Sequence, residues 1–368
     1  MTHSAAKNVI LDLSFQRVLV IRLSAIGDVV FASPLIDAIK RARPDAEVYW
    51  LAESNVAPLL AHHTGLTELL IFPREEWREL FQRGRLWKLS QEVMSFRKKL
   101  RAHQFDLVLD VQGLLKSALL AWMTGAKTRI GFRSKEPTGW LLTKRLPKNL
   151  EPSISSEYRG LAQNIGLGTG DFSMAVPLSA AARGFAARFH DGRPYVVFCP
   201  FTTRPQKHWP ETHWRALADT ALVKRWRVLV LGAPADRPAA MRIFSEQAVE
   251  SKVGDCSLEE SAALVDQADL VIGVDTGLTH MGWAFHVPVV ALFGSTCPYR
   301  LVPGREGDIL YAELDCSPCR RRPTCGGAFD CMSALTPDAV MNAAQRYLSK
   351  ESVAAPVLAS SENREEAL

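Results

Sequence analysis

The sequence predicts an α/β protein of two domains, each a parallel sheet flanked by helices. Three features point there. Short apolar runs rich in β-branched residues recur at 18–21, 106–110, 195–199, 270–274 and 289–293, the pattern of strands buried on both faces. Most of them end in a polar loop that opens a stretch of helical apolar spacing, the alternation of an open parallel sheet. The rhythm lapses at residues 166–171, Gly-Leu-Gly-Thr-Gly-Asp, and restarts at 195. No strand precedes that segment and no long helix follows it, so it reads as a linker and not as a nucleotide fingerprint. The domains are expected at 1–170 and 171–350, and the Ala/Ser/Glu-rich, aperiodic residues 351–368 read as a disordered tail.

The bulk numbers agree. A chain of 368 residues with 47% hydrophobic composition is long enough for two cores. No apolar run reaches the roughly 18 residues of a membrane span, and the first residues lack the basic and apolar regions of a signal peptide. A cytoplasmic protein is expected. The net charge of +5 does not call for nucleic acid and fits an anionic substrate or surface. Seven cysteines in a reducing compartment argue for free thiols or a metal site over disulfides.

In chain order, the strand at 18–21 gives way to a polar loop in which Gly27 supplies a permissive backbone position. A helix is expected from 29 to about 42, ahead of Pro44. Strands at 47–52 and 69–72 flank a short helix over 56–62. Residues 74–101 carry nine Lys/Arg against four Glu, interleaved with Trp77, Phe81, Trp87 and Phe96, and Gly84 divides the segment in two. Such a pattern fits a membrane-surface helix and equally an ordinary surface helix packed by its apolar face. The strand 106–110 leads through Gln112-Gly113 into a helix over 114–124, then a short strand at 129–132. Arg133, Lys135 and Arg145 make the next loops basic, as an anion-binding rim or a solvated face. A helix over 157–166 closes the first domain. In the second, helices are expected over 211–224, 241–249, 261–267 and 278–285, with a further strand at 227–231.

Chemistry concentrates at the carboxyl ends of strands, where open α/β sheets bind ligands. Asp28 stands at the first loop-to-helix junction, readable as a helix N-cap or as a general base beside Arg22. Three loops of the second domain converge on one sheet edge. One carries Thr202, Thr203 and Lys207, the next is Asp275-Thr276-Gly277 at a helix start, and the third is Gly294-Ser295-Thr296. Hydroxyls, a lysine, free amides and a helix dipole are what a diphosphate needs, and Gly277 would let backbone approach the phosphates. His280, one turn on, either touches them or is a buried, satisfied histidine. No Walker A or G-x-G-x-x-G pattern occurs, which disfavours an ATPase or a nicotinamide enzyme. No Asp-x-Asp occurs either, so Lys207 and the helix dipole would supply the positive charge that a divalent metal supplies elsewhere.

The segments R-L-S-A-I-G-D (22–28), D-V-Q-G-L-L-K-S (110–117), T-T-R-P-Q-K-H-W-P (202–210) and V-D-T-G-L-T-H (274–280) resemble the lipopolysaccharide heptosyltransferases of glycosyltransferase family 9. That resemblance implies two facing Rossmann-like domains of the GT-B type. It implies transfer of heptose from an ADP-activated donor to the lipopolysaccharide inner core, with inversion and no cofactor required for catalysis. The family's base matches Asp28. Its donor-binding residues match Thr202, Thr203, Lys207, Asp275, Thr276, Gly277 and His280. Arg22 and Lys135 take the places of basic residues directed at the acceptor. The acceptor would be a lipid-anchored acidic saccharide, reached by peripheral contact with the cytoplasmic face of the inner membrane. A nucleotide-sugar epimerase on the same fold, or a nucleotide-sugar sensor, is the rival reading.

Cys316, Cys319, Cys325 and Cys331 lie within sixteen residues with spacers of two, five and five. Four such thiols can hold zinc or iron tetrahedrally, or simply pack a small C-terminal loop. This segment resembles the branch adding the second heptose, whereas the middle of the chain resembles the enzyme adding the first.

Overall fold

The computed structural model describes residues 14–168, 170–296, 298–299 and 304–348. The expected tail at 351–368 lies outside the described residues. The first domain runs β1 (Arg17–Ile21), α1 (Ile26–Ala32), α2 (Pro34–Ala42), β2 (Glu47–Glu53), β3 (Glu68–Phe72), α3 (Arg74–Gln82), α4 (Leu86–Ala102), β4 (Leu107–Asp110), α5 (Leu115–Met123), β5 (Thr128–Phe132), β6 (Lys144–Leu146) and α6 (Ser156–Asn164). The second runs α7 (Ala180–Ala187), β7 (Tyr195–Cys199), α8 (Glu211–Val223), β8 (Arg227–Val230), α9 (Arg237–Phe244), β9 (Glu250–Ser251), α10 (Leu258–Asp266), β10 (Leu270–Val274), α11 (Gly277–Ala284), β11 (Val289–Phe293), β12 (Gly307–Tyr311), α12 (Asp330–Ser333) and α13 (Pro337–Leu348).

Both sheets are six-stranded, ordered β3-β2-β1-β4-β5-β6 and β12-β11-β10-β7-β8-β9. With β7 taken as the first strand of its sheet, the two orders are the same. Right-handed crossovers fix where the helices go. One face of the first sheet packs on α4 and α5 through Leu100, Ala118 and Leu120. Its other face packs on α1, α2 and α6, and these share one apolar cluster with α7, α10 and α11 of the second domain. The outer face of the second sheet is covered by α8, α9 and α13. The inner helices of the two domains therefore meet in the middle, and residues 165–179 connect them without helix or strand among the described residues.

Local differences from the sequence reading have local causes. The helix expected from 29 to 42 is two helices, broken at Ser33-Pro34. Pro34 has no N–H for the Val30 carbonyl, and the Ser33 hydroxyl donates to that carbonyl instead at 2.8 Å. Around 56–62 only a single 3-10 turn forms, Ala57–Leu59. The helix placed at 241–249 is Arg237–Phe244, begun by the Pro-bearing turn at 234–236. Gly84, at φ +67°, ends α3 as expected.

Candidate active site

Each sheet has a switch point between its first and fourth strands, where the chain leaves in opposite directions and a crevice opens. In the first domain the loops after β1 and β4 meet there. Arg22, directly after β1, is 6% exposed. Its guanidinium donates to the Val111 carbonyl at 2.9 Å and pairs with the Asp28 carboxylate. Asp28 is 44% exposed at its side chain. It is not a cap: the N-cap of α1 is Ala25, and Asp28 is the third residue of the helix, in the first turn. Its negative charge there is favourable against the helix dipole.

The loop after β4 supports the loop after β1. Gln112 accepts the amides of Leu23 at 3.0 Å and Ser24 at 3.4 Å through Oε1. Asp110, fully buried, accepts the amides of Gln112 at 3.1 Å and Gly113 at 3.2 Å through Oδ1. Its Oδ2 has no hydrogen-bond partner. Burial outweighs the bonds it accepts and the nearby Arg22 charge, and the carboxyl is pushed up to about 6. The sequence reading quoted this motif but gave Asp110 and Gln112 no role. The visible signal was a polar pair at a strand end ahead of a glycine.

In the second domain Lys207 ends a short 3-10 turn after β7, with its side chain 15% exposed. Its Nζ lies 2.5 Å from Asp275 Oδ2. Thr296 donates to the same oxygen at 2.7 Å, and His280 Nε2 meets Asp275 Oδ1 at 3.0 Å. Burial opposes the charge on Asp275, but His280 and Lys207 prevail and hold the carboxyl well below the usual carboxylate range. Asp275 therefore gathers Lys207, His280 and Thr296. Thr276 is the N-cap of α11 in extended conformation, so the first amides of that helix stay free of any side-chain cap. Thr202 is half-buried and Thr203 exposed, and neither side chain makes a hydrogen bond among the described residues. His280 is buried, stacked near Trp283 and 4.7 Å from the Phe31 ring of the first domain.

The two switch points touch. A Cβ on Gly27 would stand 2.7 Å from His280 Cδ2, and one on Gly277 would stand 2.4 Å from Ile26 Cγ2. Neither glycine has the left-handed φ that needs glycine. Gly27 is thus required by close approach and not by a special turn, and at Gly277 the close approach of α1 and α11 is a reason for glycine that stands beside the expected approach to phosphate. Lys135 is exposed on the β5–β6 loop, which is tied to the start of α5 by Glu136 accepting the Leu115 amide at 2.5 Å.

The cysteine segment packs against the third loop. Ser317 donates to the Gly294 carbonyl, and a Cβ on Gly294 would stand 2.8 Å from Cys331 Sγ. Burial and the neighbouring Cys316, Cys319 and Cys325 push the Cys331 thiol up. Among the described residues no three Cys, His, Asp or Glu side chains gather tightly enough to hold an ion.

Two facing parallel-sheet domains, with an acid on one lip and a lysine, hydroxyls and a helix start on the other, define a GT-B glycosyltransferase. Residues 93–328 match the model of glycosyltransferase family 9 (heptosyltransferase), and the chain belongs to that family. It is 30% identical over 317 residues to lipopolysaccharide heptosyltransferase 1 of Pseudomonas aeruginosa, covering 84% of this chain and 87% of that one. It is 25% identical to lipopolysaccharide heptosyltransferase 2 of Salmonella typhimurium over 92% of this chain and all of that one. Among solved structures, it resembles E. coli heptosyltransferase WaaC with ADP-2-deoxy-2-fluoro heptose, at 26% identity and a TM-score of 0.66, covering 89% of this chain and 98% of that chain.

Proposed function

We propose that this chain transfers heptose from ADP-heptose to an inner-core sugar of lipopolysaccharide, Kdo or the first heptose, with inversion at the anomeric carbon. The observation that carries the reading is the contact of the two switch points, which sets Asp28 opposite the start of α11. An acceptor hydroxyl gives its proton to Asp28 as its oxygen bonds to the anomeric carbon. The bond from that carbon to the diphosphate breaks on the opposite face, and the electron pair leaves with ADP. Lys207, Thr202, Thr203 and the α11 amides take up the charge that grows on the departing diphosphate. Arg22 holds Asp28 Oδ2 and Lys135 stands on the acceptor side.

The test is purified protein with a panel of ADP- and UDP-sugars and truncated lipopolysaccharides, read by mass spectrometry. The expected product is one acceptor enlarged by one heptose, only with the ADP donor. Donor conversion without acceptor would make the protein an epimerase, and binding without turnover would make it a sensor.

A structural zinc or iron at Cys316, Cys319, Cys325 and Cys331 is a separate proposal, supported by four neighbouring thiols in one short segment. It requires the thiols to draw together on binding, which couples the metal to the folding of this segment. Anaerobically purified protein should then carry near-stoichiometric metal, and each Cys→Ser variant should lose metal and melt lower. Metal-free protein whose Ser variants melt as wild type would reject it.

A further inference from the structure

We propose that the outer face of the first domain, made by α3, α4 and α5, is a docking surface for an anionic lipid bilayer. Among the described residues, the large apolar side chains exposed to solvent number eleven in the first domain and two in the second. Seven of the eleven lie on these three helices, six of them in two stripes. On α5, Leu115, Leu119 and Trp122 follow one another at helical spacing, 38–42% exposed. On α3 and α4 stand Phe81, Trp87 and Met94, 57–78% exposed. Val93, Phe96 and Leu100 face the other way and pack on the sheet, so the exposed stripe is surplus to what folding requires. The Arg97 guanidinium over the Trp122 ring, 5.2 Å from its centroid, joins α4 to α5.

Charge selects the occupant. Residues 74–101 hold nine of the chain's 44 Lys/Arg and four of its 39 Asp/Glu, so the whole net charge of +5 sits in 28 residues. Arg85, Lys88, Lys98 and Lys99 are exposed and make no ion pair among the described residues. Met94 and Lys98 share one helical stripe with Trp87. Apolar side chains that insert, ringed by cations that attract acidic headgroups, are the two signals a peripheral protein needs for a stable hold. Trp in particular favours the headgroup region. No helix among the described residues is long and apolar enough to cross a membrane. The α5 stripe begins two residues after Gly113, in the loop that supports Asp28, so a bilayer on this face lies beside the acceptor side of the crevice. The inference rests on the proposed lipid-anchored acceptor only for its purpose, not for its chemistry.

The experiment is cosedimentation of the full-length protein with vesicles of phosphatidylglycerol and of phosphatidylcholine, at about 0.1 M and about 1 M salt, where the Debye length falls from about 10 Å to about 3 Å. Wild type should partition onto the anionic vesicles at low salt and leave them at high salt. The paired Trp87→Glu and Met94→Glu substitutions should cut partition at least about tenfold. The triple Lys88→Ala, Lys98→Ala and Lys99→Ala variant should cut it by up to about a hundredfold and flatten the salt dependence. Both variants should keep the wild-type melting temperature and turnover on a delipidated acceptor. Wild type that ignores anionic vesicles, or variants that bind them as wild type does, would overturn the proposal. So would a wild-type dimer, seen by sedimentation velocity, that the glutamates dissociate while vesicle binding is unchanged. Vesicle binding needs neither donor nor acceptor, so failure of heptose transfer leaves this result standing.

Discussion

Asp110 and Asp275 occupy matching places in the two halves of the molecule, each at the carboxyl end of the fourth strand of its sheet, and their electrostatics are opposite. Asp275 is surrounded by Lys207, His280 and Thr296, and its carboxyl is held below the usual range. Asp110 is fully buried, has two backbone amides on one oxygen and nothing on the other, and is pushed up to about 6. The difference follows from which carboxylate the cation of each domain pairs with. In the second domain the Asp275 carboxylate holds Lys207 in place. In the first domain Arg22, the one buried Lys or Arg among the described residues there, pairs with Asp28, so Asp110 has no cation of its own to pair with. One topology thus produces an anchored cation on one side and a half-exposed acid on the other.

The largest effect expected is on the presented acid. Asp28→Asn should keep fold and ADP affinity while turnover falls about 10²–10⁴-fold, the usual worth of a positioned base. Asn retains the bond to Arg22 but cannot take the proton, and with Ala25 as the cap there is no capping role to lose. Thermal melting, ADP titration and the initial rate are measured together. A variant that turns over at the wild-type rate would leave Asp28 without a catalytic part.

On the other side of the comparison, Asp275→Asn should destabilise the protein by about 3–5 kcal/mol, because it strips a buried pair of one partner. Lys207→Ala should weaken ADP binding by about 1.5–3 kcal/mol, the worth of a bond to a charged group, with no rescue by magnesium. Since each residue is the other's partner, the double variant should lose less stability than the two singles added together. Denaturant unfolding and calorimetry decide it. Strict additivity would mean that the pair seen at 2.5 Å does not couple the two residues.

How much of this was legible in the sequence depended on burial. Central strands announced themselves because a parallel strand covered on both faces is apolar throughout. The edge strands β6, β9 and β12, Lys-Arg-Leu, Glu-Ser and Gly-Asp-Ile-Leu-Tyr, carry no such run and were missed. The helix α7, Ala-Ala-Ala-Arg-Gly-Phe-Ala-Ala, was missed too: it buries only Ala182 and Ala186, too short an apolar repeat to stand out. By contrast α13 had a readable start that went unused, Thr336 ahead of Pro337, with the Thr336 hydroxyl accepting the Ala339 amide at 3.2 Å. At the site, residue types in loops after strands pointed to Asp28, Lys207 and the Asp275 helix. The support of Asp28 did not show, because Gln112 reaches Leu23 across 89 residues of sequence. Nor did the close approach of Gly27 and Gly277 to the other domain.

The smallest expected effect separates the two buried acids by pH. A carboxyl raised in the folded state favours folding while it is protonated in both states. That contribution is complete below the ordinary Asp value of about 4 and is lost as pH rises through the folded value. For Asp110 the window is therefore from about 4 up to about 6. The loss across it should be on the order of 2–3 kcal/mol. Asp275 works in the reverse direction: its depressed carboxyl contributes stability above about 4 that is lost only as pH falls further. The windows do not overlap, so one denaturation series from acid to neutral pH reads both. Asp110→Asn keeps an oxygen to accept the Gln112 and Gly113 amides and removes the titration. It should flatten the curve between about 4 and about 6 and make the protein more stable than wild type at pH 7 by the same order. An Asn variant whose stability tracks wild type across that window would mean that Asp110 is not held protonated by its burial, and that the contrast between the two switch points lies in Asp275 alone.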